Sequence, residues 1–327
     1  HIPVYMSSDS LRLYRRLAAQ GELTFREHRN CIGVGYGQCF SVGDISIKAV
    51  QIDHDCIGAC GYLIDTPEGS ICYTGDYRFH GYHPEITEAF AETCRGADML
   101  ITEGVTVSSA DVDMLACERP EVMRTERDLL SETEAIMRSS RGLVVINPYN
   151  RNVERVHELI DKAASCGRRL VLDAAQADYV KSFYPDDTVY VYAETIHGRS
   201  LPGGAGIVDR SMLLESPESY VLQLDYGDQY ELFDLQGAAS AYIHMDGAPL
   251  GDYDPSFAKM KLQLAELDIP YHYLSLGGHA YPYFLRHMID VISPRILVPL
   301  HSKRPEQVNS EHIAERILPY EGQTIEL

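Results

Sequence analysis

Apolar and polar positions alternate over 43–52 (GDISIKAVQI), the period-two pattern of a strand with one buried face. Two further apolar runs, 61–65 and 70–74, flank Thr66-Pro67-Glu68-Gly69, so a hairpin is expected there. Residues 84–95 open on Pro84 and repeat Ile86, Ala89, Phe90 and Cys94 along one face, which predicts a helix. A short buried strand is expected at 97–102. Beyond 106 a polar stretch leads into a helix over 121–139, a strand at 142–150, a helix at 151–165 and a strand at 168–174. Residues 197–206 (HGRSLPGGAG) read as a loop. Strands are expected at 220–225, 240–246, 271–276 and 295–300, with helices at 255–267 and 282–292. This strand–helix rhythm is that of a parallel sheet flanked by helices, an α/β fold.

Four of these strands stop at a residue that can hold a metal or a proton. Asp53-His54 follows KAVQI, Asp76 follows ICYTG, Glu103 follows MLIT and His301 follows ILVPL. His279 comes shortly after YLSL, behind Gly277-Gly278. Ligand sites of α/β sheets lie beyond the strand ends. Imidazole nitrogens with carboxylate oxygens suit Zn²⁺ or Mn²⁺. Each residue also has a plainer reading: Asp76 as a turn or cap acid, Glu103 as turn chemistry, a single His as a cap or core residue. Spacing alone reaches only a possible metal site in an α/β protein.

Composition narrows this picture. At 327 residues the chain is long enough to divide into more than one core. The net charge of −20 argues against a broad basic surface for nucleic acid and is compatible with bound cations. Its 8 cysteines include no C-x-x-C pair and predict reduced thiols, hence a cytoplasmic setting. No run of ~18 apolar residues is present, so no membrane span is expected. HIPVYMSSDS lacks the basic start and apolar block of a signal peptide.

In order, VQIDHDCIGACGYLIDTPEG, CYTGDYRFHG, MLITEG, LSLGGHA and ILVPLHS resemble the metallo-β-lactamase fold of the β-CASP branch, to which ribonuclease J belongs. The resemblance runs from about residue 43 to the C-terminus and is loose over 106–265. It implies an αββα sandwich split into 1–105 and 266–327, with an inserted α/β cap over 106–265. It implies that His54, Asp76 and His301 are metal ligands, Asp76 bridging two divalent ions, Zn or alternatively Mn. Glu103 would orient a neighbouring ligand His such as His301. Gly278 and His279 would contact the scissile phosphate, and Arg78 and His80 would brace the loop. Gly277 departs from the Ser more usual before Gly-His in that family.

The family's His-x-His-x-Asp-His motif is nowhere in this chain. We therefore expect the segment carrying it to be absent, through truncation or real loss. The activity implied is hydrolysis of an RNA phosphodiester by a dinuclear metal centre, with single-stranded RNA or another nucleic acid as partner and a homodimer as a possible assembly. Asn150 and Asn152, near Asn147 and Arg151 at the end of the VVIN strand, would hold substrate phosphate, although capping and turn roles suit them equally. Arg199 and Arg210 could touch a nucleic-acid backbone or be solvated loop charges. The alternatives are a hydrolase of a small ester, lactone or thioester on the same fold, and a catalytically inactive paralogue. The charge of −20 leans toward these.

Overall fold

A computed structural model describes residues 2–108 and 112–327. In chain order the elements begin with β1 (Val4–Ser7), α1 (Ser8–Ala19), β2 (Cys31–Val34), β3 (Cys39–Val42), β4 (Ile45–Gln51), β5 (Cys60–Thr66), β6 (Gly69–Tyr73), α2 (Pro84–Thr93) and β7 (Met99–Thr102). Next come α3 (Glu126–Ser139), β8 (Leu143–Pro148), α4 (Val153–Ser165), β9 (Arg169–Leu172), α5 (Ala174–Phe183), β10 (Tyr190–Tyr192), β11 (Gly206–Val208), α6 (Arg210–Glu215) and β12 (Tyr220–Gln223). The chain continues with α7 (Glu231–Asp234), β13 (Ala239–Met245), α8 (Pro255–Glu266), β14 (Tyr271–Tyr273), α9 (Pro282–Ile292), β15 (Ile296–Pro299) and β16 (Glu315–Arg316). Two compact units result. One comprises His1–Arg12, His28–Met123 and Gly278–Leu327; the other comprises Leu13–Glu27 and Arg124–Gly277.

The first unit carries a seven-stranded sheet in the order β16-β15-β7-β6-β5-β4-β3. β15, β7 and β6 run parallel, and β6, β5, β4 and β3 pair antiparallel. One face meets α2 and α9: Cys72, Leu100 and Leu297 share a core with Phe90, Phe284, Leu285 and Met288. The opposite face buries Met99, Ile296 and Val298 against Ile71, Ile101 and Ile317.

The second unit is an all-parallel seven-stranded sheet, β11-β10-β9-β12-β8-β13-β14. Every residue of β8 is buried, as expected for a central parallel strand covered on both faces. Where an insert was expected over 106–265, this unit comprises Arg124–Gly277 and recruits Leu13–Glu27. Long-range bonds recruit that segment. Tyr179 donates to Glu22 Oε2 at 2.8 Å, and Arg16 pairs with Asp178 at 3.6 Å. The helix expected from 121 starts only at Glu126, because Thr125 and Asp128 form a capping box.

His244 on β13 is fully buried among the rings of Phe257 (5.3 Å), Tyr273 (5.7 Å) and Tyr271 (6.4 Å). Burial is the main reason that its pKa falls from 6.5 to about 4, against the opposing pull of Asp246. The folded state therefore prefers neutral His244, while the unfolded chain takes up a proton below about 6.5. Its stabilisation is complete above pH 6.5 and is lost as pH falls toward 4, by ~3 kcal/mol in all. Urea unfolding at pH 7 and pH 4.5 should show a smaller pH penalty for His244→Phe than for the native chain. Equal penalties would mean that His244 is not the group titrating.

Candidate metal centre

Because β6, β7 and β15 are adjacent and parallel, their C-terminal ends lie along one edge of the first unit's sheet. Two antiparallel steps bring β4 back to the same direction, so its end joins them. Asp76, Glu103, His301 and Asp53-His54 follow these four ends. Gly75 has φ +63°, a left-handed turn open to glycine at no steric penalty, and it carries the chain from β6 into Asp76. His301 adopts φ +47° without that freedom, a strained conformation of the kind that collects at functional sites.

Asp76, His279 and His301 each offer a donor atom, and these atoms lie within 4.8 Å of one another. Among the described residues no second group of three such side chains converges in this way. His301 Nδ1 lies 2.8 Å from Asp76 Oδ1. His279 Nδ1 lies 2.8 Å from Glu103 Oε2, and Glu103 itself is almost wholly buried. The other Glu103 oxygen accepts from the backbone N–H of Tyr77 at 3.1 Å. One carboxylate thus ties the residue after Asp76 to the His279 ring. Burial lowers the His279 pKa, but the Glu103 hydrogen bond and the charges of Glu103, Asp76 and Asp55 outweigh it, and the net shift is upward.

Glu103 accordingly faces His279, not His301. The resemblance implied a substrate-phosphate role for His279, and the structure also places its ring in the donor trio. His54 stands outside that trio. Its Nδ1 lies 2.7 Å from Gly278 O and its Nε2 3.3 Å from Asp55, and its ring centre is 5.6 Å from that of His279. Gly278 is required by close packing: a Cβ there would sit 2.4 Å from His54 Cε1 and 2.5 Å from Asp55 Oδ1. Gly278→Ala is therefore expected to displace His54 and the neighbouring His279. A shift of the His54 and His279 ring resonances by NMR would check this, and unchanged resonances would refute it.

Arg78 and His80 are both buried. Arg78 Nε donates to Asp53 Oδ1 at 3.2 Å and its backbone N–H to Asp53 O at 2.9 Å, pinning the loop after Asp76 to the end of β4. The His80 ring packs 4.8 Å from Tyr281, two residues beyond His279.

In the second unit, Asn152 is turned inward. Its Oδ1 caps α4 by accepting from Arg155 N at 3.1 Å, and its Nδ2 donates to Glu126 at 3.1 Å, so it is not presented to a phosphate. Asn147 is likewise buried and donates to Ala248 O at 2.9 Å. Asn150 lines a cavity of about 480 Å³ at the carboxyl edge of this unit's sheet. Arg199 pairs with Glu22 at 3.4 Å, and Arg210 with Glu231 at 2.9 Å, so both cations already serve acids of their own unit.

A solved structure from Enterococcus faecalis V583, described as a protein of unknown function, matches all of this chain and 76% of its own, at 31% identity and a TM-score of 0.86. This chain belongs to that protein's family. Ribonuclease J of Mycoplasma pneumoniae is 21% identical over 300 residues, covering 84% of this chain and 49% of the relative. Ribonuclease J of Pyrococcus abyssi is 26% identical over 173 residues, covering 52% of this chain and 37% of the relative. The chain spans about half the length of the curated relatives that match most of it. No family model matches the chain. The chain is thus similar to ribonucleases J at 20–26% identity.

Proposed function

We propose that this chain is part of a cytoplasmic, metal-dependent phosphodiesterase of the ribonuclease J type, with a metallo-β-lactamase core and a β-CASP-like second unit, acting on RNA. The observation that carries the reading is the convergence of Asp76, His279 and His301 behind a buried Glu103. Two imidazoles and one carboxylate fit Zn²⁺ or Mn²⁺. Donor atoms of one tetrahedral zinc are about 3.4 Å apart, from bonds of about 2.1 Å, so separations of up to 4.8 Å call for only small side-chain rotations.

When bound, the cation would polarise a phosphoryl oxygen and lower the pKa of water. Asp76 supplies the anionic donor. Glu103 accepts the Nδ1 proton of His279, which fixes the tautomer and leaves Nε2 as the basic nitrogen. Arg78 holds the Asp76 loop against β4.

A second reading, hydrolysis of a small ester, lactone or thioester, is favoured by the net charge of −20 and by the internal pairing of Arg199 and Arg210. Incubation with 5′-phosphorylated single-stranded RNA and Zn²⁺ or Mn²⁺ separates the two. Nucleotide release that chelator abolishes supports the nuclease. Intact RNA beside a cleaved thioester or lactone would replace it with the second reading.

A further inference from the structure

The second unit has a binding crevice of its own. From β8 the chain leaves toward β9 on one side of the sheet, whereas from β13 it leaves toward β14 on the other, although β8 and β13 are neighbours. Such a switch point opens a crevice beyond the carboxyl ends of the strands, where doubly wound sheets hold nucleotides. The cavity of about 480 Å³ lies there, walled by the segments after β8, β12 and β13. Its walls include Tyr149 and Tyr226, the apolar Pro148 and Leu250, and two charged residues, Asp225 and Arg151.

We infer that this cavity binds a guanine base, stacked against its tyrosines and held by the Asp225 carboxylate through two adjacent N–H donors. Gln223 Nε2 donates to Asp225 Oδ1 at 2.9 Å and so fixes the carboxylate at the mouth of β12. Burial, and then the charges of Asp173, Glu22 and Asp228, push the Asp225 carboxyl upward, so a ligand that adds N–H donors to the one from Gln223 favours its ionised form. The same crowd of acids disfavours phosphate. A guanidinium would also supply N–H donors, but it would fill little of 480 Å³ and would meet Arg151 in the wall. A flat, neutral heterocycle with an N1–H and an amino group meets every condition.

This assignment is independent of the metal centre, and a chain that cleaved no RNA could still bind guanosine. The test is calorimetric titration in EDTA with guanosine, inosine, adenosine and arginine amide. A short single-stranded RNA ending in G and another ending in A tell a free nucleoside from a base within a strand. Guanosine, or the G-ended RNA, should bind at least about tenfold more tightly than its adenine counterpart, and inosine, lacking one donor, more weakly than guanosine. Asp225→Asn and Tyr226→Ala should each weaken binding by about tenfold or more without moving the thermal midpoint. If Asp225→Asn does not fold, Tyr226→Ala alone decides. No binding by guanosine or G-ended RNA, equal binding of all nucleosides, or preference for arginine amide would each overturn the inference.

Discussion

Asp76→Asn is expected to weaken Zn²⁺ binding by more than about 100-fold while leaving the fold intact. The substitution keeps the shape of the side chain and removes its charge. What remains is two imidazoles, and the anionic donor that draws a cation into the site is gone. Glu103→Gln touches no cation directly, and outer partners of this kind change metal affinity by about 10–100-fold. A graded order is therefore expected, with the native chain tightest, Glu103→Gln intermediate and Asp76→Asn weakest. Competition with a chromogenic chelator reads it without any need for turnover. Circular dichroism should be unchanged, since Asp76 is partly exposed and bonds to His301 rather than to the core. Native-like affinity in Asp76→Asn would mean that any bound metal sits elsewhere.

The strand-end acids were legible because two local signals coincide at them, an apolar run and its abrupt polar stop. Parallel pairing of β6, β7 and β15 then gathers those stops on one edge, a step that sequence order hints at but does not fix. The partner of Glu103 was not legible. His279 lies 176 residues away, and only the folded sheet decides that it, rather than His301, receives the carboxylate. Arg78 was expected to brace the loop, but its partner Asp53, 25 residues earlier, could not be read from sequence order. Asn152 had the right position for an anion site, but the N–H groups at the start of α4 claimed its oxygen first. α5 was missed because its alanine-rich first turn gives little contrast between faces. α1 was missed because its opening residues were weighed only as a possible signal peptide.

The two sheets also differ in what holds them. In the first unit the carboxyl edge is crossed by hydrogen bonds among Glu103, Tyr77, Arg78 and Asp53, so the candidate centre and the loop around it are one network. A change at Asp76 or Glu103 should be felt locally, as chemistry. In the second unit the comparable network lies inside the fold, and a change there should be felt as stability.

Glu126→Ala should destabilise the second unit by about 3–5 kcal/mol, the usual loss when one partner of a buried ion pair is removed. Arg155 and Glu126 are both fully buried. Two bonds of 2.9 Å join Arg155 Nε and Nη2 to the Glu126 carboxylate, and Nη1 donates to Met245 O at 2.9 Å and to Asp246 Oδ2 at 3.0 Å. Burial works against the Arg155 charge, but Glu126 and Asp246 outweigh it, so the guanidinium stays charged in the fold. Without Glu126 that charge keeps Asp246 alone, and Asn152 Nδ2 loses its acceptor. The joint replacement of Glu126 by Leu and Arg155 by Met removes both charges together. It should cost well under the single change, because no buried ion is left unpaired. Hydrogen exchange on peptides from α3 and α4 localises the effect, with faster exchange in Glu126→Ala and partial recovery in the double variant. A loss below about 1 kcal/mol in Glu126→Ala would show that Asp246 and the backbone carbonyl suffice to hold the guanidinium.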